Sequence, residues 1–149
     1  MVPAKIDLSK LTVEFEDACR RVNLKVTHQS LELFRELANA DDHPSAENIY
    51  KRLIKKLPTL SLDTVYRTLA TLEKHRLITR VQTLEREARY EARMDKHHHA
   101  VCNRCGKITD FVWDIFDNVE VPESVIGWGN VFKRNAVLEG ICKECKEGE

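Results

Sequence analysis

The sequence predicts an α+β protein in two parts, a four-helix unit ending in a hairpin and a smaller unit of short strands. Apolar residues recur at helical spacing through about the first half of the chain, and short β-branched segments with interspersed glycines follow. No apolar run approaches the ~20 residues of a membrane span, and the N-terminus lacks the apolar stretch of a secretory signal. We therefore expect a cytoplasmic protein, in which clustered cysteines more often bind metal than form disulfides.

Side chains that cap or stop helices divide the first part of the chain. Thr27, Ser45 and Ser61 are good N-caps, and Pro58 ends the third helix. The DDHP segment is a turn, because a residue before proline is displaced from helical geometry. The four helices are expected over residues 8–22, from 28 onward, 46–57 and 62–76.

Two alternating segments, LITRVQT and ARYEAR, follow the fourth helix and predict a hairpin. Helices followed by a two-stranded hairpin are the layout of a winged helix, and the short KLPTLS connection joins the two helices of its helix-turn-helix. We place this domain at residues 1–92.

Residues 93–149 predict a second, small α+β domain. Strands are expected at HAVC and KITDFVW, a short helix near Asp114 to Val119, and further strands around Val131 and Val137. A domain of about 55 residues is marginally stable without a staple.

Charge differs between the two parts although the net charge is zero. Residues 1–90 carry 16 Lys and Arg against 13 Asp and Glu, whereas residues 91–149 carry 8 against 11. Zero net charge argues weakly against a nucleic-acid partner, but a mildly basic first part and an acidic second part indicate two different roles.

Four cysteines form two Cys-x-x-Cys pairs separated by 36 residues. Four thiolates make a closed tetrahedral shell without an open position, which predicts structural zinc. Redox-active thiols and an iron–thiolate electron carrier are the alternatives. The fifth cysteine, Cys19, lies in the first helix and is expected to be a small buried hydrophobe. The predicted ligands are Cys102, Cys105, Cys142 and Cys145.

Histidines directly before the first cysteine pair suggest a second metal site. In an extended strand His97 and His99 point to one face and His98 to the other, so the first two can bind one ion. With one further histidine and two carboxylates, the set would suit iron, manganese or zinc more than calcium or magnesium. A solvated histidine triplet is the alternative from spacing alone. Further candidate ligands are His43, Glu91 and Asp110.

The sequence resembles the ferric uptake regulator (Fur) family of bacterial metal-dependent repressors. The resemblance runs from about residue 20 to 145 and is carried by HPSAENIYKRL, SLDTVYRTLATLEKHRLI, RYE, HHHAVCNRCGKITDF and GICKEC. It implies a homodimer with an N-terminal DNA-binding winged helix and a C-terminal dimerisation domain. It also implies a repressor that binds palindromic double-stranded operator DNA when metal is bound, without a small-molecule substrate or a membrane.

The resemblance also implies roles for particular residues. The four paired cysteines match the structural zinc ligands. A regulatory Fe(II) or Mn(II) ion is expected at His43, Glu91, His97, His99 and Asp110. DNA contacts are expected from Lys25, Ser61, Thr64, Tyr66 and Arg67. Separately from the resemblance, a repressor of this kind is expected to gain salt-dependent affinity from phosphate contacts, with a merely solvated charged face as the alternative for each residue; the candidates are Lys25, Lys51, Arg52, Arg80, Arg86 and Arg89.

The sequence departs from the family at three places. Ser30 stands where members usually have Arg. A further metal site of some members is expected to be absent, since its positions correspond to Lys96, His98, Asp117 and Arg134. The third departure is a mixed pair of regulatory carboxylates.

The mixed carboxylates bear on the signal sensed. Asp110 resembles the peroxide-sensing (PerR-type) members, whereas those members usually have Asp where this chain has Glu91. We favour peroxide sensing, in which Fe(II) and peroxide oxidise His43 or His97 to 2-oxo-histidine, over iron sensing. A hydrolytic zinc enzyme built on the histidines is the alternative from another class, but the sequence offers no general base or substrate pocket for it.

Overall fold

The computed structural model describes residues 7–81, 83, 87–92 and 95–148. The chain divides into two units, Met1–Met94 and Asp95–Glu149, and each is described by itself. Within the described residues no helix has the length and apolar character needed to cross a membrane.

Four capped helices build the first unit. Asp7, Thr27, Ser45 and Ser61 each accept a hydrogen bond from the backbone of the helix that follows. Ser30 completes a capping box with Thr27, because each side chain bonds the other's main-chain N–H. The helices are α1 (Leu8–Arg21), α2 (His28–Asn39), α3 (Ala46–Leu53) and α4 (Leu62–Lys74).

The third helix is shorter than the sequence predicts. Regular helix ends at Leu53, whose carbonyl accepts from the N–H of Lys56 at three-residue spacing and from the N–H of Leu57 at four-residue spacing. Residues 54–56 therefore form a turn before Pro58 rather than a further helical turn.

A short antiparallel hairpin follows α4, as expected of a winged helix. Strand β1 (Thr79–Val81) pairs with β2 (Arg89–Glu91), with Arg80 opposite Tyr90. The intervening residues 82 and 84–86, which include Arg86, lie outside the described residues. The strands are shorter than the segments predicted from alternation.

One hydrophobic core holds the helices and hairpin of this unit together. The rings of Phe15 and Phe34 stack with centroids 4.1 Å apart, which joins α1 to α2. Ile49, Val65 and Leu69 are fully buried between α3 and α4. The apolar stripes predicted from helical spacing thus point into one core.

The second unit is a three-stranded sheet with short helices. Its sheet order is β4-β3-β5; β3 pairs antiparallel with β4 and parallel with β5. The elements are β3 (His98–Cys102), β4 (Ile108–Phe111), α5 (Asp114–Asn118), α6 (Glu123–Trp128), β5 (Val137–Gly140) and α7 (Lys143–Glu147).

The prediction of a strand around Val131 is wrong. Residues 129–136 have no regular structure, and Phe132 is 89% exposed there. Strand propensity reflects packing of side chains against neighbours, and the Val131 and Phe132 side chains are exposed. Short α6 and α7 are not anticipated from the sequence. Pro122 directly precedes α6, and proline is favourable at the start of a helix. The apolar segment after it, which contains β-branched residues, therefore forms a short helix rather than a strand.

Candidate functional site

The four paired cysteines meet at one end of the second unit. Cys102 ends β3, Cys105 lies in the turn after it, Cys142 is the N-cap of α7, and Cys145 lies within α7. The four Sγ atoms all lie within 4.8 Å of one another, and those of Cys105 and Cys142 are 3.7 Å apart. Ligands at a Zn–S distance of ~2.3 Å are separated by about 3.8 Å across a tetrahedral edge. The cluster therefore fits one tetrahedral metal ion.

The electrostatics of the cluster also favour a bound cation. Main-chain N–H groups of Cys105 and Cys142 donate to the Cys102 sulfur and lower the pKa of that thiol to about 6. The neighbouring Cys142 sulfur, together with burial, raises the pKa of Cys145 to about 12. Four thiolates this close require a positive ion to be charged together. A disulfide needs ~2.05 Å between sulfurs, and all five cysteines are free.

Cys19 takes no part in this cluster. It is 1% exposed within the core of the first unit, and burial raises the pKa of its thiol. These features match the small buried hydrophobe expected from the sequence.

In the second unit, three of the expected regulatory ligands gather on one face of the sheet. His99 lies directly opposite Asp110 in the β3–β4 register, with His99 Nε2 3.4 Å from Asp110 Oδ1. His97 Nε2 lies 4.0 Å from Asp110 Oδ2, and the two imidazole rings are 4.9 Å apart. His97 Nδ1 donates to Asp95 O at 2.6 Å, so Nδ1 carries the proton and the unprotonated Nε2 is the atom available to bind a metal ion.

In the first unit, the other two expected ligands form a buried pair. His43 Nε2 lies 3.0 Å from Glu91 Oε2, and the side chains are only 6% and 8% exposed. Two ligand atoms at ~2.1 Å from one ion are separated by about 3.0 Å in octahedral geometry. The same distance is that of a hydrogen bond between the imidazole and the carboxylate, and it also fits two neighbouring positions around an ion. Forty-eight residues separate the two in sequence.

His98 faces away from these ligands, as its place between them predicts. Its Nδ1 accepts from the Ala136 N–H at 2.9 Å, so Nε2 carries the proton and donates to Asp117 at 2.8 Å. Lys96 Nζ lies 3.8 Å from the same carboxylate, and Arg134 donates to the Phe116 carbonyl. Protein groups thus satisfy both His98 ring nitrogens.

The residues expected to contact DNA lie at or near the surface of the first unit. Tyr66 is 47% exposed on α4, and the Arg67 side chain is 80% exposed and pairs with Asp63 at 2.5 Å. Ser61 caps α4 and shares a hydrogen bond with Thr64. Lys25 is exposed in the α1–α2 connection.

Several basic residues expected to contact phosphate are engaged within the protein. Arg52 pairs with Asp42, and Arg80 pairs with Glu73 at 3.2 Å. Arg89 donates to main-chain carbonyls of the 41–44 turn. The sequence signal for this last role is its spacing, since Arg89 and Glu91 share one face of β2.

Comparison with known proteins agrees with this arrangement. A sequence profile of the ferric uptake regulator family matches residues 21–127, more than two thirds of the chain. The chain belongs to the ferric uptake regulator family.

Relatives within the family include named peroxide regulators. The peroxide-responsive repressor PerR of Staphylococcus epidermidis is 28% identical over 144 residues, covering 95% of this chain and 96% of that protein. The peroxide operon regulator of Bacillus subtilis is 29% identical over 133 residues, covering 89% and 92%.

A solved structure of the family has the same fold. The Fur protein of Helicobacter pylori, described as having three functional metal-binding sites, superposes with a TM-score of 0.75. It is 27% identical and covers 98% of this chain and 97% of its own. The predicted α+β fold with an N-terminal winged helix is thereby confirmed.

Proposed function

We propose that the protein is a metal-dependent DNA-binding transcriptional repressor that senses peroxide through a regulatory Fe(II) or Mn(II) ion. One observation carries this proposal: each unit presents histidine and carboxylate ligand atoms at the separations that one ion imposes. His43 and Glu91 do so in the helix-turn-helix unit, and His97, His99 and Asp110 in the sheet unit.

The proposed switch follows from dividing one ligand set between two units. A full set of five ligands is available only in conformations that bring the two units together, so metal binding selects those conformations. Shifting a population from 1:99 to 99:1 takes about 5.5 kcal/mol of differential affinity. Two buried ligands from one unit and three from the other can supply it. The zinc cluster would keep the sheet unit folded in both conformations.

The proposed DNA contacts come from α4 and the residues around it. The exposed Tyr66 and Arg67 would reach base edges in a major groove. Sugar-phosphate contacts with the DNA would come from Lys25, Ser61 and Thr64. A repressor of this kind acts on chromosomal DNA, which supports the proposed cytoplasmic location.

The second unit would join two chains into a homodimer. It exposes large apolar side chains, and both edge strands of its sheet, β4 and β5, lack a second neighbour within the described residues. A two-fold dimer matches a palindromic operator, because its two recognition helices are related by the same symmetry. The most exposed apolar residues are Ile115, Ile126, Trp128 and Phe132.

Peroxide sensing is favoured over iron sensing by Asp110 and by the named relatives. Fe(II), when bound, would donate one electron to peroxide and so promote cleavage of its O–O bond. In the net reaction one peroxide oxygen would add to the His43 or His97 ring, the other would leave as water, and peroxide would be the two-electron oxidant; the resulting 2-oxo-histidine binds metal poorly. Loss of one ligand would release the units from the metal-bound conformation and so release DNA.

Metal binding tests the regulatory site. Zinc-loaded protein is titrated with Mn(II), and free Mn(II) is followed by its EPR signal. We expect one Mn(II) per chain in the wild type and none in His99→Ala, with zinc content unchanged in both. His28→Ala, an exposed histidine of α2, is the matched control and should bind Mn(II) as the wild type does. Equal Mn(II) binding by His99→Ala would contradict the proposed ligand set.

Mass spectrometry tests the signal. Protein loaded with Fe(II) is treated with peroxide and digested, with Mn(II)-loaded protein as the control. We expect the mass of one added oxygen on the peptide that contains His43 or His97, only in the Fe(II) sample. If neither peptide gains this mass, iron sensing becomes the better interpretation. Hydrolysis of ester or peptide substrates by the purified protein would favour the enzyme alternative.

A further inference from the structure

The turn that carries His43 has a backbone conformation that needs support. His43 has a φ of 51°, in the left-handed region that residues other than glycine seldom adopt. It nevertheless lies buried beside Glu91, with its ring 3.0 Å from that carboxylate. Such a conformation persists only where surrounding contacts determine it.

The side chain of Arg89 supplies two of those contacts. Its Nε donates to the carbonyl of His43, and its Nη2 donates to the carbonyl of Asp42 at 2.7 Å. A guanidinium presents its donors in a rigid fork, so binding the carbonyls of two successive residues orients the two peptides on either side of the His43 Cα. The orientations of these two peptides define the backbone dihedrals of His43 and therefore the direction in which its imidazole leaves the main chain.

Strand β2 makes further contacts with the same turn. The Tyr90 N–H donates to the Pro44 carbonyl at 3.0 Å, and Ser45 and Arg89 form an antiparallel bridge. Arg89 and Glu91 lie two residues apart on this strand, so the same face presents the fork and the carboxylate ligand.

We propose that Arg89 is a positioning residue of the regulatory metal site, which holds the Asp42 and His43 carbonyls and thereby presents the His43 imidazole beside Glu91. This inference rests on the proposed metal-dependent function. It replaces the phosphate contact expected of Arg89 from sequence. It also ties the regulatory ligands to the hairpin, since Arg89 and Glu91 both belong to β2.

The two roles of Arg89 predict different results. A phosphate contact acts through charge, so Arg89→Lys would keep DNA binding, and Arg89→Ala would weaken it at every Mn(II) concentration and lower the salt slope by about 1. A positioning role acts through the geometry of the guanidinium, so Arg89→Lys would keep the charge but bind Mn(II) almost as weakly as Arg89→Ala. Its defect would be in Mn(II) affinity and would disappear at saturating Mn(II).

The experiment measures Mn(II) affinity of zinc-loaded protein by EPR for the wild type, Arg89→Ala and Arg89→Lys. Arg35→Ala is the matched control, because Arg35 is partly exposed and pairs only with Glu32 of its own helix in the contacts described. We expect affinity to fall by about 10–100-fold in both Arg89 variants, as for other groups that orient metal ligands, and to stay within about twofold in Arg35→Ala. Wild-type affinity in Arg89→Ala would overturn the inference.

Two further measurements separate positioning from stability and from failure of the proposed function. Urea unfolding of the metal-free variants shows whether a lost fold explains weak binding; a fall in Mn(II) affinity that tracks unfolding would overturn positioning. Amide exchange at Tyr90 without added Mn(II) reports the turn itself, and we expect faster exchange in both Arg89 variants but not in Arg35→Ala. If the wild type binds no Mn(II), the proposed function fails, and unchanged Tyr90 exchange would then also refute the role of Arg89.

Discussion

Removing one zinc ligand should unfold the sheet unit and leave the helical unit intact. Cys142→Ser deletes one of four sulfurs that lie within 4.8 Å of one another. A serine hydroxyl does not ionise near neutral pH, so the variant offers three thiolates instead of four. A zinc ion would join the end of β3 to the segment around α7, which otherwise contacts that region through Arg104 with the Cys145 carbonyl and Lys107 with Glu144.

The magnitude follows from how little the sheet unit buries. Its buried hydrophobic residues among those described are Val101, Cys102 and Ile108. Full burial of a valine or isoleucine contributes about 1.5–3 kcal/mol, so Val101 and Ile108 supply about 3–6 kcal/mol together. Structural zinc contributes about 10–16 kcal/mol. Zinc therefore contributes at least about 1.7 times as much as these two buried side chains do together.

The assay uses the position of the tryptophans. Both tryptophans, Trp113 and Trp128, lie in the sheet unit, so near-UV circular dichroism from tryptophan reports that unit alone. Far-UV circular dichroism is dominated by the four longer helices of the other unit. We expect Cys142→Ser to lose zinc and its tryptophan signal but to keep most helical signal. Cys19→Ala is the matched control and should keep zinc. An intact tryptophan signal without zinc would refute the reasoning.

Further predictions concern the helical unit. Leu69→Ala should lower the free energy of unfolding by about 2–5 kcal/mol in urea titrations, because Leu69 is fully buried; a loss below 1 kcal/mol would contradict the core described. Thr27→Ala should cost about 1 kcal/mol through loss of the α2 capping box, and Thr27→Ser should restore it. The hydrogen bond from Arg52 lowers the pKa of Asp42 in the folded protein. The pair therefore stabilises the fold fully above the pKa of Asp42 in the unfolded chain, ~3.9, and this stabilisation is lost as the pH falls through the lower pKa of the folded protein. Asp42→Asn, in an exposed pair, should cost under about 1 kcal/mol at pH 7 and nothing near pH 2, measured by urea unfolding; equal effects at both pH values would contradict this.

Local chemistry made the helical unit predictable. Thr27, Ser45 and Ser61 mark helix starts because their side chains accept main-chain hydrogen bonds whatever the rest of the chain does. The two cysteine pairs are also local signals, because the Cys-x-x-Cys spacing lets one tight turn present two sulfurs to one ion. These features needed no knowledge of distant contacts.

Other features depend on contacts that sequence spacing does not show. The tertiary fold brings His43 beside Glu91, although 48 residues separate them in sequence. It also places Arg89 where its side chain donates hydrogen bonds to the turn that contains His43. The strand expected at Val131 was wrong because β-branched residues form strands only where a neighbour packs against them. Family resemblance, rather than periodicity, indicated which distant residues belong together.

DNA binding as a function of metal tests the central claim most directly. A palindromic DNA fragment is first selected from a random library with Mn(II)-loaded protein. Its affinity is then measured for zinc-loaded wild type and His99→Ala across a Mn(II) titration at fixed salt. We predict that wild-type affinity rises at least about tenfold with Mn(II), a coupling free energy of about 1.4 kcal/mol, and that His99→Ala shows no rise. Equal affinity with and without Mn(II) would contradict a metal-dependent repressor.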